Sequence, residues 1–269
     1  MASEARGRKP ISPDLLFAIE AARTAGARLE SLRRSGRWEG DLLGDVGDQA
    51  ADGFLQGMLA GRYPEDEVLS EETASDESRL SKSRVWIVDP LDGTKEYGER
   101  REDWAVHVAL AIDGKCELGA VALPATGEVL WGGPEGAGLE GGRRDLVRGD
   151  SEGGPRPIVA VSRSHTPDWV AAFTREMGGE MKGFGSVGYK VSRLFFGEAD
   201  MYVHQKGLKE WDTCAPEAVA RALGWSVSTL SGAEHRYNRE SPRNDEIVVC
   251  RPAWRERILQ SLRRLGVTG

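Results

Sequence analysis

The sequence predicts a mixed chain in two intimately packed halves: an α+β first half built on a largely antiparallel sheet, and an α/β second half. Three observations lead there. The chain has 269 residues, enough for one large domain or two sub-domains. Apolar runs in the first half are broken by Asp113-Gly114 and Thr126-Gly127, dipeptides that favour hairpins. Beyond residue 157, strand-like and helix-like segments alternate. The expected division is residues 1–150, carrying most acidic candidates, and 151–269.

Residues 12–34 place Leu15, Leu16, Ile19, Ala22, Leu29 and Leu32 at helical spacing, with Ser12 as cap and Pro13 as first helical position. A second helix is expected from about Asp48 to Leu59. Residues 85–88 read as a buried strand that Pro90 stops. Strands follow at 104–112, 116–123 and 128–131. The Gly- and Arg-rich stretch 132–157 reads as a surface loop or weak hairpin between the halves. Strands are then expected at 158–161, 200–203 and 247–250, and helices at 167–177, 189–196, 212–223 and 254–265. The run 178–182 does not read as a strand. The GxGxxG match at Gly183, Gly185 and Gly188 is therefore not taken as a dinucleotide fingerprint.

The net charge of -7 argues against a nucleic-acid-binding surface. Residues 1–10 lack a signal-peptide core, and no apolar run reaches the roughly 18 residues of a membrane span, so a cytoplasmic protein without membrane contact is expected. Cys116, Cys214 and Cys250 are far apart in sequence and are expected as buried free thiols.

The segment Asp89-Pro90-Leu91-Asp92-Gly93-Thr94 carries the chemistry. It sets two carboxylates at a strand end, where cations can be shared, and then offers backbone N–H groups and a hydroxyl to a phosphate. Asp48, Glu71-Glu72 and Asp212 are further acidic candidates at element ends. Each alone reads equally well as a helix cap or a solvated turn. If they converge, each pair at ~4 Å repels by about 4 kcal/mol at an effective dielectric of 20, and cations or protons must answer. All-oxygen donors favour Mg²⁺ or Mn²⁺ over zinc.

Together, the Asp89–Thr94 segment, Ser70-Glu71-Glu72 and Trp211-Asp212 resemble the inositol monophosphatase family of Mg²⁺-dependent, lithium-sensitive phosphatases. The resemblance implies a layered αβαβα sandwich with two or three metal ions between the halves. Glu71, Asp89 and the Leu91 carbonyl would hold one ion, and Asp89, Asp92 and Asp212 a second. Thr94, bonded to Asp48, would help activate the attacking water, with Glu71 beside it, and Asp92, Gly93 and Thr94 would meet the phosphate. Asp45 stands where many relatives carry Thr or Ser.

The second half bears on the substrate. Ser162-Arg163-Ser164-His165, and Gly185-Ser186 with Lys190, resemble elements of the 3′(2′),5′-bisphosphate nucleotidase (CysQ-type) branch of sulfur metabolism. Ser162, Arg163, His165, Ser186 and Lys190 become substrate candidates, although Arg163 and Lys190 read alone as ordinary solvated charges. His204 stands where some relatives have Arg; His107 and His235 read as structural. The leading expectation is hydrolysis of the 3′-phosphate of 3′-phosphoadenosine 5′-phosphate. Inositol 1-phosphate, fructose 1,6-bisphosphate and histidinol phosphate are the rivals, with a silent metal- or nucleotide-binding module as the rival of another class. Many relatives are homodimers, a state open to this chain.

Overall fold

Side-chain alternation along the strands generates three separate cores, and those cores define five layers. A computed structural model of the protein describes residues 10–73, 77–142 and 144–267. Helices α1 (Pro13–Arg34) and α2 (Gly40–Arg62) form the first layer. Next comes a six-stranded sheet of β1 (Glu67–Ser70), β2 (Arg84–Asp92), β3 (Ala105–Ile112), β4 (Lys115–Leu123), β5 (Glu128–Gly133) and β6 (Gly136–Glu140), ordered as in the chain. On β2, Trp86 and Val88 face α1 and α2, while Val85 and Ile87 face the other way.

The central layer holds α5 (Val187–Phe195) and α6 (Glu210–Ala222). The second sheet is ordered β10 (Ser226–Ser228), β11 (Ile247–Cys250), β9 (Met201–His204), β7 (Ile158–Ser162), β8 (Glu180–Phe184). Its far face packs on α4 (Asp168–Glu176) and α7 (Arg255–Arg264). This is the expected αβαβα sandwich. The first sheet is antiparallel except for the β1–β2 pair; in the second, β7 runs parallel to both β8 and β9.

Small residues let α6 approach the first sheet closely. A Cβ on Gly119 would lie 2.7 Å from the Ala215 Cα, and one on Gly132 would lie 2.6 Å from the Ala218 carbonyl oxygen. That contact carries Asp212, in the first turn of α6, to the end of β2.

Four expectations need correction. Helix α2 starts at Gly40, so Asp48 lies mid-helix rather than at its start. Glycine is a poor helix former, which hides these turns in the sequence, but close packing demands it here. A Cβ on Gly44 would meet Thr94 Cγ2 at 2.8 Å, and one on Gly47 would meet Tyr97 Cε1 at 2.7 Å. Pro90 does not stop β2, which continues to Asp92 through a break in register between Asp89 and Asp92, a place where a strand tolerates proline. Residues 180–184 form strand β8, an exposed sheet edge and hence without an apolar signature. The stretch expected as a loop from 132 includes the end of β5 and all of β6.

The three cysteines are free, with Cys214 and Cys250 buried and Cys116 half-buried. Residues 1–9, part of the basis for expecting no signal peptide, lie outside the described residues. Among the described residues no helix is long and apolar enough to cross a membrane.

Candidate active site

The break in β2 turns Asp89 and Asp92 toward the amino-terminal end of α6, where Asp212 waits. One oxygen from each of the three carboxylates lies within 4.8 Å of the others. Asp89 and Asp92 are 1% and 5% exposed. Local hydrogen bonds fix each group: Asp89 accepts from the Leu91 N–H at 3.1 Å, and Asp212 from the Lys209 N–H at 2.6 Å at the start of α6.

Asp92 is held by the opposite half of the molecule. The first N–H groups of α5, from Val187 and Gly188, donate to its two oxygens at 3.1 and 2.6 Å. The amides of the GxGxxG stretch are thus directed to a carboxylate of the chain itself. Gly188 must be glycine, since a Cβ there would lie 2.1 Å from His107 Nε2.

His107, read from sequence as structural, proves to be a wall of this cluster. It is fully buried and pairs with Asp89 across β2 and β3. Its Nδ1 sits 3.0 Å from the Trp211 carbonyl oxygen, and its Nε2 lies 3.2 Å from Asp92 Oδ2 without the alignment of a hydrogen bond. Alternation along Ala105–Ile112 places it on the inner face; the register that sets it against Asp89 has no local signal.

Thr94 opens the short helix α3 (Thr94–Gly98), and its hydroxyl lies 3.0 Å from Asp48 Oδ2 and 3.2 Å from the Leu91 carbonyl oxygen. Asp48 Oδ1 is buried with no hydrogen-bond partner. Gly93 combines φ +95° with an approach so close that a Cβ would lie 2.9 Å from Ser186 Cβ. Glu71 lies on an exposed turn after β1, outside the three-carboxylate cluster but within reach of the charges of Asp48, Asp212 and Asp92.

Crowding shows in the proton affinities. Burial and then Glu72 push Asp48 up to about 7. Desolvation, then Asp48, Asp212 and Asp92, raise Glu71 to about 8. Asp212 rises to about 6 through burial and Asp92, and Asp89 goes well above the carboxylate range through burial and Glu71. Asp92 alone falls, because its hydrogen bonds and the His107 and Lys190 charges outweigh burial. Crowded like charges, an orphaned carboxylate oxygen and three convergent carboxylates fit hard divalent cations.

Of the substrate candidates, Ser186 caps α5 by accepting from the Tyr189 N–H at 3.3 Å, and its own N–H donates to the Asp103 carbonyl oxygen at 3.0 Å. Lys190 is not a solvated charge: it is 4% exposed, and its Nζ donates to the Gly185 carbonyl oxygen. Burial lowers its pKa, against the pull of Asp92 and Glu96. Arg163 is half-exposed and bound to Asp103 at 2.6 Å. Asp103 itself is buried, also pairs with Arg101, and was not singled out from sequence. Ser162 lies 3.3 Å from Ser164, hydroxyl to hydroxyl, and His165 is exposed. His204 ends β9; burial first, then Lys190 and His165, lower its pKa. Asp45 is exposed on α2.

The model of the inositol monophosphatase family matches residues 12–266. The chain belongs to that family. It is similar to a 3′-phosphoadenosine 5′-phosphate phosphatase of Mycobacterium leprae, with 36% identity over 252 residues covering 88% of this chain and 89% of that one. It is also similar to the 3′(2′),5′-bisphosphate nucleotidase CysQ of Salmonella typhimurium, 34% identical over 199 residues, or 72% of this chain and 79% of the relative. Among solved structures, CysQ from Bacteroides thetaiotaomicron superimposes with a TM-score of 0.78 at 27% identity, covering 88% of this chain and 97% of that one.

Proposed function

We propose that the protein is a Mg²⁺-dependent phosphomonoesterase that hydrolyses the 3′-phosphate of 3′-phosphoadenosine 5′-phosphate, yielding AMP and phosphate. The observation that carries this reading is the buried Asp89, Asp92 and Asp212 cluster beside the Thr94–Asp48 pair. The substrate choice is supported by the relatives' activity in their names. Asp89, Asp92 and Asp212 would hold one Mg²⁺, and Glu71, Asp89 and the Leu91 carbonyl another, with Mn²⁺ as a substitute. Bound there, the ions neutralise phosphoryl charge and acidify water.

The residues of the chain do the rest. Thr94 orients the attacking water, and Asp48 accepts the hydrogen bond of the Thr94 hydroxyl and takes up the proton released. Asp92 and the turn at Gly93 and Thr94 frame the reacting phosphate. Ser186 and Lys190, on the helix whose N–H groups hold Asp92, with Ser162, Arg163 and His165 nearby, form the wall for the remaining nucleotide.

Phosphate release with Mg²⁺, with and without lithium, tests the reading. The substrates are 3′-phosphoadenosine 5′-phosphate, inositol 1-phosphate, fructose 1,6-bisphosphate and histidinol phosphate. The bisphosphate nucleotide should have the highest kcat/KM, with inhibition by lithium. Equal or better turnover of inositol 1-phosphate overturns the substrate assignment, and no turnover of any ester returns the binding-module reading.

A further inference from the structure

We infer that Asp52 is a positioning residue for the proposed metal ligand Glu71, acting through a clasp with Ser70 and Thr73; the inference rests on the reading of Glu71 given above. Asp52 follows Asp48 by four residues on α2, so both point from one helix face toward the site. It is 8% exposed. Its Oδ1 accepts the Ser70 hydroxyl at 2.5 Å and its Oδ2 accepts the Thr73 hydroxyl at 2.6 Å. The two hydroxyls flank Glu71 and Glu72 in sequence. One carboxylate thus pins both ends of the exposed turn that presents Glu71.

Ser70 is the buried last residue of β1, and Glu71, Glu72 and Thr73 follow it as an exposed turn outside the strand ladder. Thr73 cannot swing away without costing Asp52 Oδ2 its hydrogen bond, and loss of Ser70 would leave Oδ1 only the longer contact at 3.4 Å from Gln56 Nε2. Ligand-orienting partners of this kind typically account for about 10–100-fold in metal affinity. Orientation and charge act in the same direction here. Removing Asp52 frees the turn and also takes one negative charge from the neighbourhood of Asp48, and both weaken cation binding.

The test uses the full chain titrated with MgCl₂. It reads the Mg²⁺ concentration that gives half the maximal rise in Tm, alongside the Mg²⁺ dependence of phosphate release. Asp52→Asn keeps the shape but replaces one acceptor by a donor, and should raise the half-saturating Mg²⁺ concentration by about 10–100-fold. Thr73→Val, which leaves the Asp52 charge in place, should raise it several-fold, and Ser70→Ala likewise. A merely structural role is separated by a double-mutant cycle. In a Glu71→Gln background, Asp52→Asn should add nothing to the Mg²⁺ shift, even where it lowers the metal-free Tm.

An unchanged Mg²⁺ requirement in both Asp52→Asn and Thr73→Val overturns the clasp, as does a full additional shift in the Glu71→Gln background. If Glu71→Gln alone leaves Mg²⁺ binding unaltered, Glu71 is no ligand. The clasp inference then falls with the assignment beneath it, whereas phosphatase activity on the bisphosphate nucleotide is read separately.

Discussion

Helix α6 carries Asp212 and Glu217 within six residues of each other, and their surroundings are opposite. Glu217 is 2% exposed and satisfied: it accepts from His235 Nδ1 at 2.5 Å, from the Tyr237 hydroxyl at 2.8 Å and from Arg221 Nε at 2.7 Å. Burial would raise its pKa, but the His235 hydrogen bond and charge, with Arg221, prevail and lower it. Asp212 meets Asp89 and Asp92, and its pKa rises to about 6. A buried carboxylate with partners from its own chain holds the fold together. Buried carboxylates crowded against one another require a cation from outside, which marks a site.

The sharpest way to break this contrast is to exchange consequences between the two regions. Asp89→Asn should reduce phosphate release by several orders of magnitude while the metal-free Tm stays equal or rises, because a buried carboxyl that burial and its acidic neighbours penalise when ionised is gone; near-normal turnover would remove Asp89 from the site. Glu217→Ala should do the reverse. Breaking a buried pair by removing one partner costs on the order of 3–5 kcal/mol, measurable by urea unfolding, while Mg²⁺-dependent turnover of the folded fraction persists.

A gentler test uses pH. Asp48 and Asp212 hold their protons up to about 7 and about 6 in the folded, metal-free chain, well above ordinary aspartates. The folded state therefore binds more protons than the unfolded chain between about pH 4 and pH 7. This contribution favours folding at low pH and is lost as pH rises through that window. The rise in Tm on adding Mg²⁺ should accordingly be larger at pH 8 than at pH 5, and an equal rise at both would contradict the crowding.

The legible part of the site was the part whose partners are close in sequence. Asp89, Asp92, Gly93 and Thr94 share one turn; strand spacing and hairpin dipeptides gave the antiparallel first half and the α/β second half, and the family resemblance alone implied their layering. The place of His107 beside the cluster was not legible because it depends on the β2–β3 register and on the close approach of Gly188. Asp52 was passed over because its hydroxyl partners, Ser70 and Thr73, lie at the end of the next strand and just after it. Lys190 looked like a solvated charge because its burial arises only when α5 packs between the sheets. Strand β8 escaped because an edge strand in water needs no apolar face.

The glycines of α2 bear on how the chain folds. Gly44 and Gly47 allow α3 to come close, but Gly53, Gly57 and Gly61 have nothing near them, and each costs an isolated helix about 1 kcal/mol relative to alanine. Such a segment has little tendency to wind by itself. It gains its order from docking onto α1, which precedes it, and onto β2 and α3, which are synthesised after it. Asp48 and Asp52 lie on the face turned toward β1, β2 and α3, so the acidic site is completed only when residues 67–98 dock against the helix.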